Sequence, residues 1–149
     1  MRAVAQRVSS CSIRVGEETV GEMGPGLLAL VGVAQSDTPA DVEQLASKLA
    51  HLRVFADEEG RMNHSLIETG GTLGLVSQFT LLGDCRKGRR PSYVEAAAPE
   101  EAEPLLELLL AKVRDLGVPV ITGRFRAMMS VDLVNEGPVT LLLDTRKVF

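Results

Sequence analysis

The run Leu27-Leu28-Ala29-Leu30-Val31-Gly32-Val33 carries no polar side chain on either face. Successive side chains of a strand point to opposite sides of its sheet, so a segment written this way reads as a central strand that must be covered from both directions. Two helical patterns are present. Thr38-Pro39 opens the first, with Thr38 as N-cap and Pro39 at the first helical position, where its missing N–H costs nothing; Val42, Leu45, Ala46, Leu49 and Leu52 form its apolar stripe. The second runs from about Pro99 to Leu116, with Leu105, Leu108, Leu109, Val113 and Leu116 at helical spacing and Gly117 suited to the left-handed position after the last turn. Pro104 either kinks that helix or begins it, because a proline in a helix interior deletes a hydrogen bond and costs ~3 kcal/mol.

The other regular segments read as strands. They are Val4 to Val8, Ser12 to Val15 and Thr19 to Glu22, the last two separated by the hairpin signal Gly16-Glu17-Glu18; Thr72 to Ser77, introduced by Gly70-Gly71; and Val118 to Ile121, Ser130 to Asn135 and Val139 to Leu143. Seven or eight strands and two main helices, with no repeat and no dividing linker, predict a single compact α/β domain over residues 1–149, its mixed β-sheet arranged in barrel-like layers. A chain of 149 residues can bury ~70% of the surface its unfolded form exposes, so it needs no disulfide or metal staple.

Composition excludes several functions. No apolar run approaches the ~20 residues of a membrane span, and the charges inside Met1 to Val8 suit a strand rather than a signal peptide, so a cytoplasmic location is expected. Cys11 and Cys85 are the only cysteines; neither has the spacing of a zinc site, and both read as free thiols. His51 and His64 are isolated, and no metal or cofactor is expected. A net charge of −4 argues against nonspecific coating of nucleic acid, which needs many cations against many phosphates. The distribution says more. Arg86-Lys87-Gly88-Arg89-Arg90 and Arg124-Phe125-Arg126 are basic, whereas acids gather at Asp57-Glu58-Glu59 and Glu100-Glu101-Ala102-Glu103; taken singly, such runs are usually solvated loops.

Each basic run lies near an unusual strand end. Ser77-Gln78-Phe79-Thr80-Leu81 closes one apolar strand, and Asn135-Glu136-Gly137-Pro138-Val139-Thr140 is a turn set between two others. Both join a buried strand to small or hydroxylated residues, so both can present backbone N–H and C=O groups to a ligand. Neither carries a His, a Cys or a carboxylate arranged for side-chain acid/base catalysis.

With Ala5-Gln6-Arg7-Val8, Gly26-Leu27-Leu28, Asn63, Gly70-Gly71, Arg90-Pro91-Ser92 and Thr122-Gly123-Arg124-Phe125, these two motifs make a chain that resembles the D-aminoacyl-tRNA deacylases over essentially its whole length. The resemblance implies a homodimer with active sites at the subunit interface that hydrolyses the ester between a D-amino acid and the 3′-terminal adenosine of tRNA. It also implies acceptance of glycyl-tRNA, and a cis Gly137-Pro138 bond that enters the partner's active site. A carbonyl beside Gly137 would bind the substrate ammonium while filling the space an L side chain needs; an L ester must then clash or leave a polar group unpaired, at ~1–3 kcal/mol.

Two routes to hydrolysis remain open. Thr80 is a nucleophile in the first, with only Asp84 nearby in sequence as a base. Backbone N–H groups around Gln78, Phe79 and Thr80 stabilise the oxyanion in the second, each donor contributing ~10²–10³, while the ribose 2′-hydroxyl positions water. Ser77 holds the strand end. Gln78 and Phe79 line the adenosine and aminoacyl pocket, with core packing the alternative for Phe79; Arg7 braces the Gly-Pro turn across the dimer; Phe125 and Met129 lie near the adenine, with core filling the alternative for Met129. Arg86, Lys87, Arg89 and Arg90 meet acceptor-stem phosphates, a role inferred from charge and position. The rivals are a noncatalytic tRNA-binding or dimerisation domain and an unrelated small-ester hydrolase using Thr80.

Overall fold

The computed structural model describes all 149 residues. In chain order the elements are β1 (Arg2–Val15), β2 (Glu18–Met23), β3 (Gly26–Gly32), α1 (Pro39–His51), β4 (Phe55–Ala56), β5 (Met62–His64), α2 (Leu66–Thr69), β6 (Thr72–Ser77), α3 (Pro99–Asp115), β7 (Val120–Thr122) and β8 (Ser130–Asp144), with one 3-10 turn at Phe79–Leu82.

β1 is the axis of the sheet. β2 and β3 lie end to end along one side of it, and β8 runs along the other, all antiparallel. β6 joins β3 in parallel, with Ser77 opposite Val31, and β7 joins β6 in parallel. β7 then returns against β2 closely enough that a methyl group on Gly21 would lie 3.2 Å from Ile121 Cδ1. The sheet therefore nearly closes into a barrel.

That curl supplies half of the cover β3 requires. Leu27, Ala29 and Val31 face a large core completed by Val42, Leu45 and Leu49 of α1 and by Leu106, Leu109 and Val113 of α3. Leu28 points the other way, into a smaller core with Val8, Cys11, Ile13, Met23 and Val76. Val8 shares this face with Cys11 and Ile13 although strict alternation would separate them. The register of β1 on β8 shifts between Val8 and Ser10, and a bulge of one residue flips the side-chain parity.

A second irregularity is larger. Gln6 faces Thr140 and Val8 faces Asn135, so residues 136–139 stand against Arg7 alone. The segments expected as separate strands on either side of Asn135–Thr140 are one strand, and the motif is looped out of it. Val4–Val8 and Ser12–Val15 likewise merge into β1.

Three further expectations are revised. α3 runs through Pro104 without a break, because the acceptor its missing N–H would have used, the carbonyl of Glu100, lies in an exposed first turn. Leu106 is buried in that helix, whereas Leu116 is 38% exposed. A third helix, α2, starts at a capping box in which Ser65 and Glu68 bond each other's N–H groups, and ends at Gly70 with φ 65°. The C-terminal residues strap the molecule: Arg2 pairs with Asp144 and lies 5.4 Å over the Phe149 ring, and Thr145 bonds Asp41. No helix is long and apolar enough to cross a membrane.

The two cysteines are unpaired, Cys11 buried and Cys85 exposed. Burial, and secondly the nearby Asp132 charge, push the Cys11 thiol up. A maleimide near neutral pH is expected to modify one thiol per native chain and the second only after denaturation; two fast thiols would mean that the small core opens readily.

Candidate active-site cleft

β6 and β3 finish side by side, and the carboxyl ends of parallel strands are where α/β sheets leave room for ligands. The chain leaves Ser77 through Gln78, whose N–H still donates to the Val31 carbonyl at 2.7 Å, and then tightens into the 3-10 turn. The first N–H groups of a helical turn have no acceptor inside it, and no side chain caps this one. Phe79 and Thr80 thus hold N–H groups at the head of the turn. Neighbours fix its position: a methyl on Gly32 would lie 2.9 Å from the Gln78 carbonyl oxygen, and Arg2 Nη1 donates to the Leu81 carbonyl at 2.8 Å.

The turn walls a cleft of about 770 Å³ whose lining includes Ser77, Gln78, Phe79, Thr80, Phe125 and Met129, all singled out from sequence. Val31 and Val33 from the end of β3, and Pro99, Ala102 and Leu106 from the head of α3, add apolar walls. Phe79 is 58% exposed, which removes core packing as its role. Met129 lines the cleft and also packs on the small core, while Met128 is 90% exposed.

No carboxylate, imidazole or thiol lines the cleft; Tyr93 and Arg126 are its only titratable side chains. Thr80 Oγ1 accepts a hydrogen bond from Gln78 Nε2. Asp84 is engaged elsewhere. Its oxygens receive the Arg86 guanidinium at 2.8 and 2.7 Å and the Arg86 N–H at 2.9 Å, and these bonds hold its carboxyl down at about 2. A depressed carboxylate adds stability above its unfolded pKa and loses it only as pH falls through the folded value. Asp84 therefore stays ionised at neutral pH and is far too weak a base to activate Thr80. Arg86 spends its charge on that pair, whereas Lys87, Arg89 and Arg90 are exposed and enter no ion pair.

The second motif is not at this cleft. Asn135 closes its turn by accepting from the Val139 N–H at 3.1 Å and donating to Thr140 Oγ1 at 2.9 Å. The Gly137–Pro138 peptide is cis, and Gly137 has φ 127°. Arg7 braces the turn of its own chain, with Nε on the Glu136 carbonyl at 3.2 Å and Nη1 on the Val54 carbonyl at 2.6 Å. The ladders set the separation. Ser77 faces Val31 and Val31 faces Ala3, while the Gly-Pro turn stands opposite Arg7, so the turn lies ~13 Å further along β1 and three strands across.

Among the lining residues to which the sequence assigned no site role, Tyr93 and Arg126 are the titratable ones. Tyr93, the only tyrosine, follows the Arg90-Pro91-Ser92 motif directly and stands edge-on to Phe79, with ring centroids 5.1 Å apart and planes at 70°. Arg126, the last residue of the basic run Arg124-Phe125-Arg126, adopts φ 63°, uncommon for a residue other than glycine.

Known proteins resemble this chain in both sequence and fold. The family model described as D-Tyr-tRNA(Tyr) deacylase matches residues 4–144. A D-aminoacyl-tRNA deacylase of Desulforudis audaxviator is 56% identical over 149 residues, covering 100% of both chains. One from Roseiflexus sp. is 57% identical over 145 residues, covering 97% of this chain and 94% of its own. Among solved structures, one titled c-Myc DNA Unwinding Element Binding Protein superimposes with TM-score 0.92 at 36% identity, covering 97% of this chain and 98% of that one. A probable eukaryotic D-amino acid tRNA deacylase shares the fold, with TM-score 0.83 at 20% identity over 95% of this chain and 97% of that one. With a family match over nearly all its residues and full-length relatives at more than half identity, the chain belongs to the D-aminoacyl-tRNA deacylase family.

Proposed function

We propose that the chain acts as a homodimer that hydrolyses the ester of D-aminoacyl-tRNA, and of glycyl-tRNA, through backbone groups. The observation that carries this reading is a cleft with uncapped N–H groups at the head of its turn and no acid/base side chain in its lining. Such a site suits a substrate that is already labile. The ester of an aminoacyl-tRNA needs only positioning and oxyanion stabilisation, and each well-aimed donor contributes about 10²–10³ in rate; the ribose 2′-hydroxyl positions the attacking water.

Dimerisation is supported by what one chain leaves unfinished. The Gly-Pro turn is exposed and far from the cleft of its own chain, so it reaches a cleft only if a second copy supplies it. β8 pairs with β1 alone, leaving its other edge open, and Val134 and Leu142 on that strand are 56% and 62% exposed. In the dimer a carbonyl of the turn receives the substrate ammonium and occupies the place of an L side chain. Glycine has no side chain to exclude and passes.

Hydrolysis of matched D-tyrosyl-tRNA, L-tyrosyl-tRNA and glycyl-tRNA, with spontaneous rates subtracted, tests the reading. The D and glycyl esters are expected to be cleaved and the L ester left intact; equal cleavage of D and L would sink the chiral gate. Thr80→Ala keeps the backbone N–H and removes the hydroxyl, so turnover is expected to stay within about tenfold of wild type. A loss of about 10³-fold or more with binding unchanged would instead make Thr80 the nucleophile.

A further inference from the structure

We propose that Phe79 and Tyr93 form a stacking platform for the unpaired nucleotides that precede the terminal adenosine, with Lys87, Arg89 and Arg90 against their phosphates. The proposal rests on the deacylase reading of the cleft and adds to it a path for the nucleic acid. Exposed large apolar groups in contact with each other are the informative exception on a protein surface. Here Phe79 is 58% and Tyr93 39% exposed, and the cleft holds three of the five aromatic residues in the chain. Their edge-to-face contact at 70° holds the rings against each other while leaving ring face for a base.

The position of Tyr93 in the chain ties the platform to the cations. Ser92 and Asp84 exchange backbone hydrogen bonds of 2.7 and 3.0 Å, which closes the loop carrying the basic run at its foot, and Tyr93 is the next residue. Asp84 neutralises Arg86, so the charges left for phosphate are the three beyond it. The cleft thus combines apolar walls with an aromatic pair, and the loop that closes beside Tyr93 carries three unpaired cations. A single strand entering by its 3′ end needs a pocket for the last residue, a stack for the next and positive charge along the backbone, in that order. Base-on-aromatic stacking changes affinity by about tenfold or more when the ring is removed, with little dependence on base identity.

The experiment compares kcat/KM for D-tyrosyl-tRNA and for 3′-D-tyrosyl-adenosine, which has no preceding nucleotide, in wild type, Tyr93→Ala and Tyr93→Phe. Tyr93→Ala is expected to lose about tenfold or more on the tRNA, mainly through KM, with the loss confined to that substrate, and Tyr93→Phe to restore it. Equal loss on both substrates, or loss on neither, would overturn the platform. Anisotropy with a labelled RNA oligonucleotide ending in CCA gives a readout independent of turnover: Tyr93→Ala should bind about tenfold more weakly, and unchanged binding overturns the platform. A wild type that binds the oligonucleotide but cleaves neither ester overturns the deacylase reading instead.

Discussion

Gly137→Ala is expected to lower kcat/KM for a D-aminoacyl-tRNA by about 100-fold or more while the protein remains folded. The backbone there has φ 127°, a region that L side chains rarely occupy, and a holding cost of about 1–3 kcal/mol follows for any other residue. Space compounds the problem. A Cβ would stand 2.8 Å from Cγ2 of Val139, a branched side chain stiff at χ1, so residues of the turn itself must shift, while Arg7 Nη2 at 3.0 Å can swing aside. In the proposed dimer that turn carries the carbonyl that meets the substrate ammonium, and displacing a positioning group by about 1 Å can cost 10²-fold. The fold should tolerate the change, because the ladder with β1 continues on both sides of residues 136–139; Tm is expected to fall by about 3 to 10 °C. Initial rates of deacylation beside a thermal melt check both parts. Full activity would mean that the turn never touches substrate, whereas a collapsed melt would make any loss of activity uninformative about chirality.

Gly26→Ala is expected to do the opposite: it should destroy the fold before it reaches the chemistry. Gly26 opens β3 opposite Thr72, the first residue of β6, and a Cβ on it would stand 1.9 Å from the Thr72 carbonyl oxygen and 2.9 Å from Thr72 N. Both atoms are backbone, so no rotamer change relieves the overlap. The two strands must part at the point where the parallel ladder begins, and Leu27, Leu73 and Leu75 all lie in the large core just beyond it. Overpacking a core with a methyl group costs about 1–3 kcal/mol when side chains can shift. Here the ladder hydrogen bonds are lost as well, against a total stability of about 5–15 kcal/mol. Circular dichroism is expected to show no cooperative transition near the wild-type Tm. A melt within a few degrees of wild type would show that β3 and β6 separate more cheaply than this contact implies.

The double-faced strand at Leu27–Val33 and the helix after Thr38-Pro39 were legible because each writes its burial into a fixed period, and the cleft side of the site was legible because Ser77–Leu81 ends such a strand. Other features hid for physical reasons. The bulge after Val8 changes parity, so the two halves of β1 look like separate strands. Asn135–Thr140 looks like a connection because Gly and Pro mark turns of any kind, and nothing local shows that both flanks pair with the same neighbour. α2 is only one turn long, although Ser65-Leu66-Ile67-Glu68 spells a capping box. Asp84 sits near Thr80 in sequence, yet only the folded loop shows that Arg86 has already claimed it.

The loop of residues 136–139 has a consequence for how such a chain can change over generations. Because the strand resumes its pairing on both sides, an altered residue or an altered length in this loop leaves every other partner in the sheet where it was. In the proposed dimer, discrimination between substrates and the capacity to fold would be carried by separable stretches of the same strand, so that selection could revise the first without renegotiating the second.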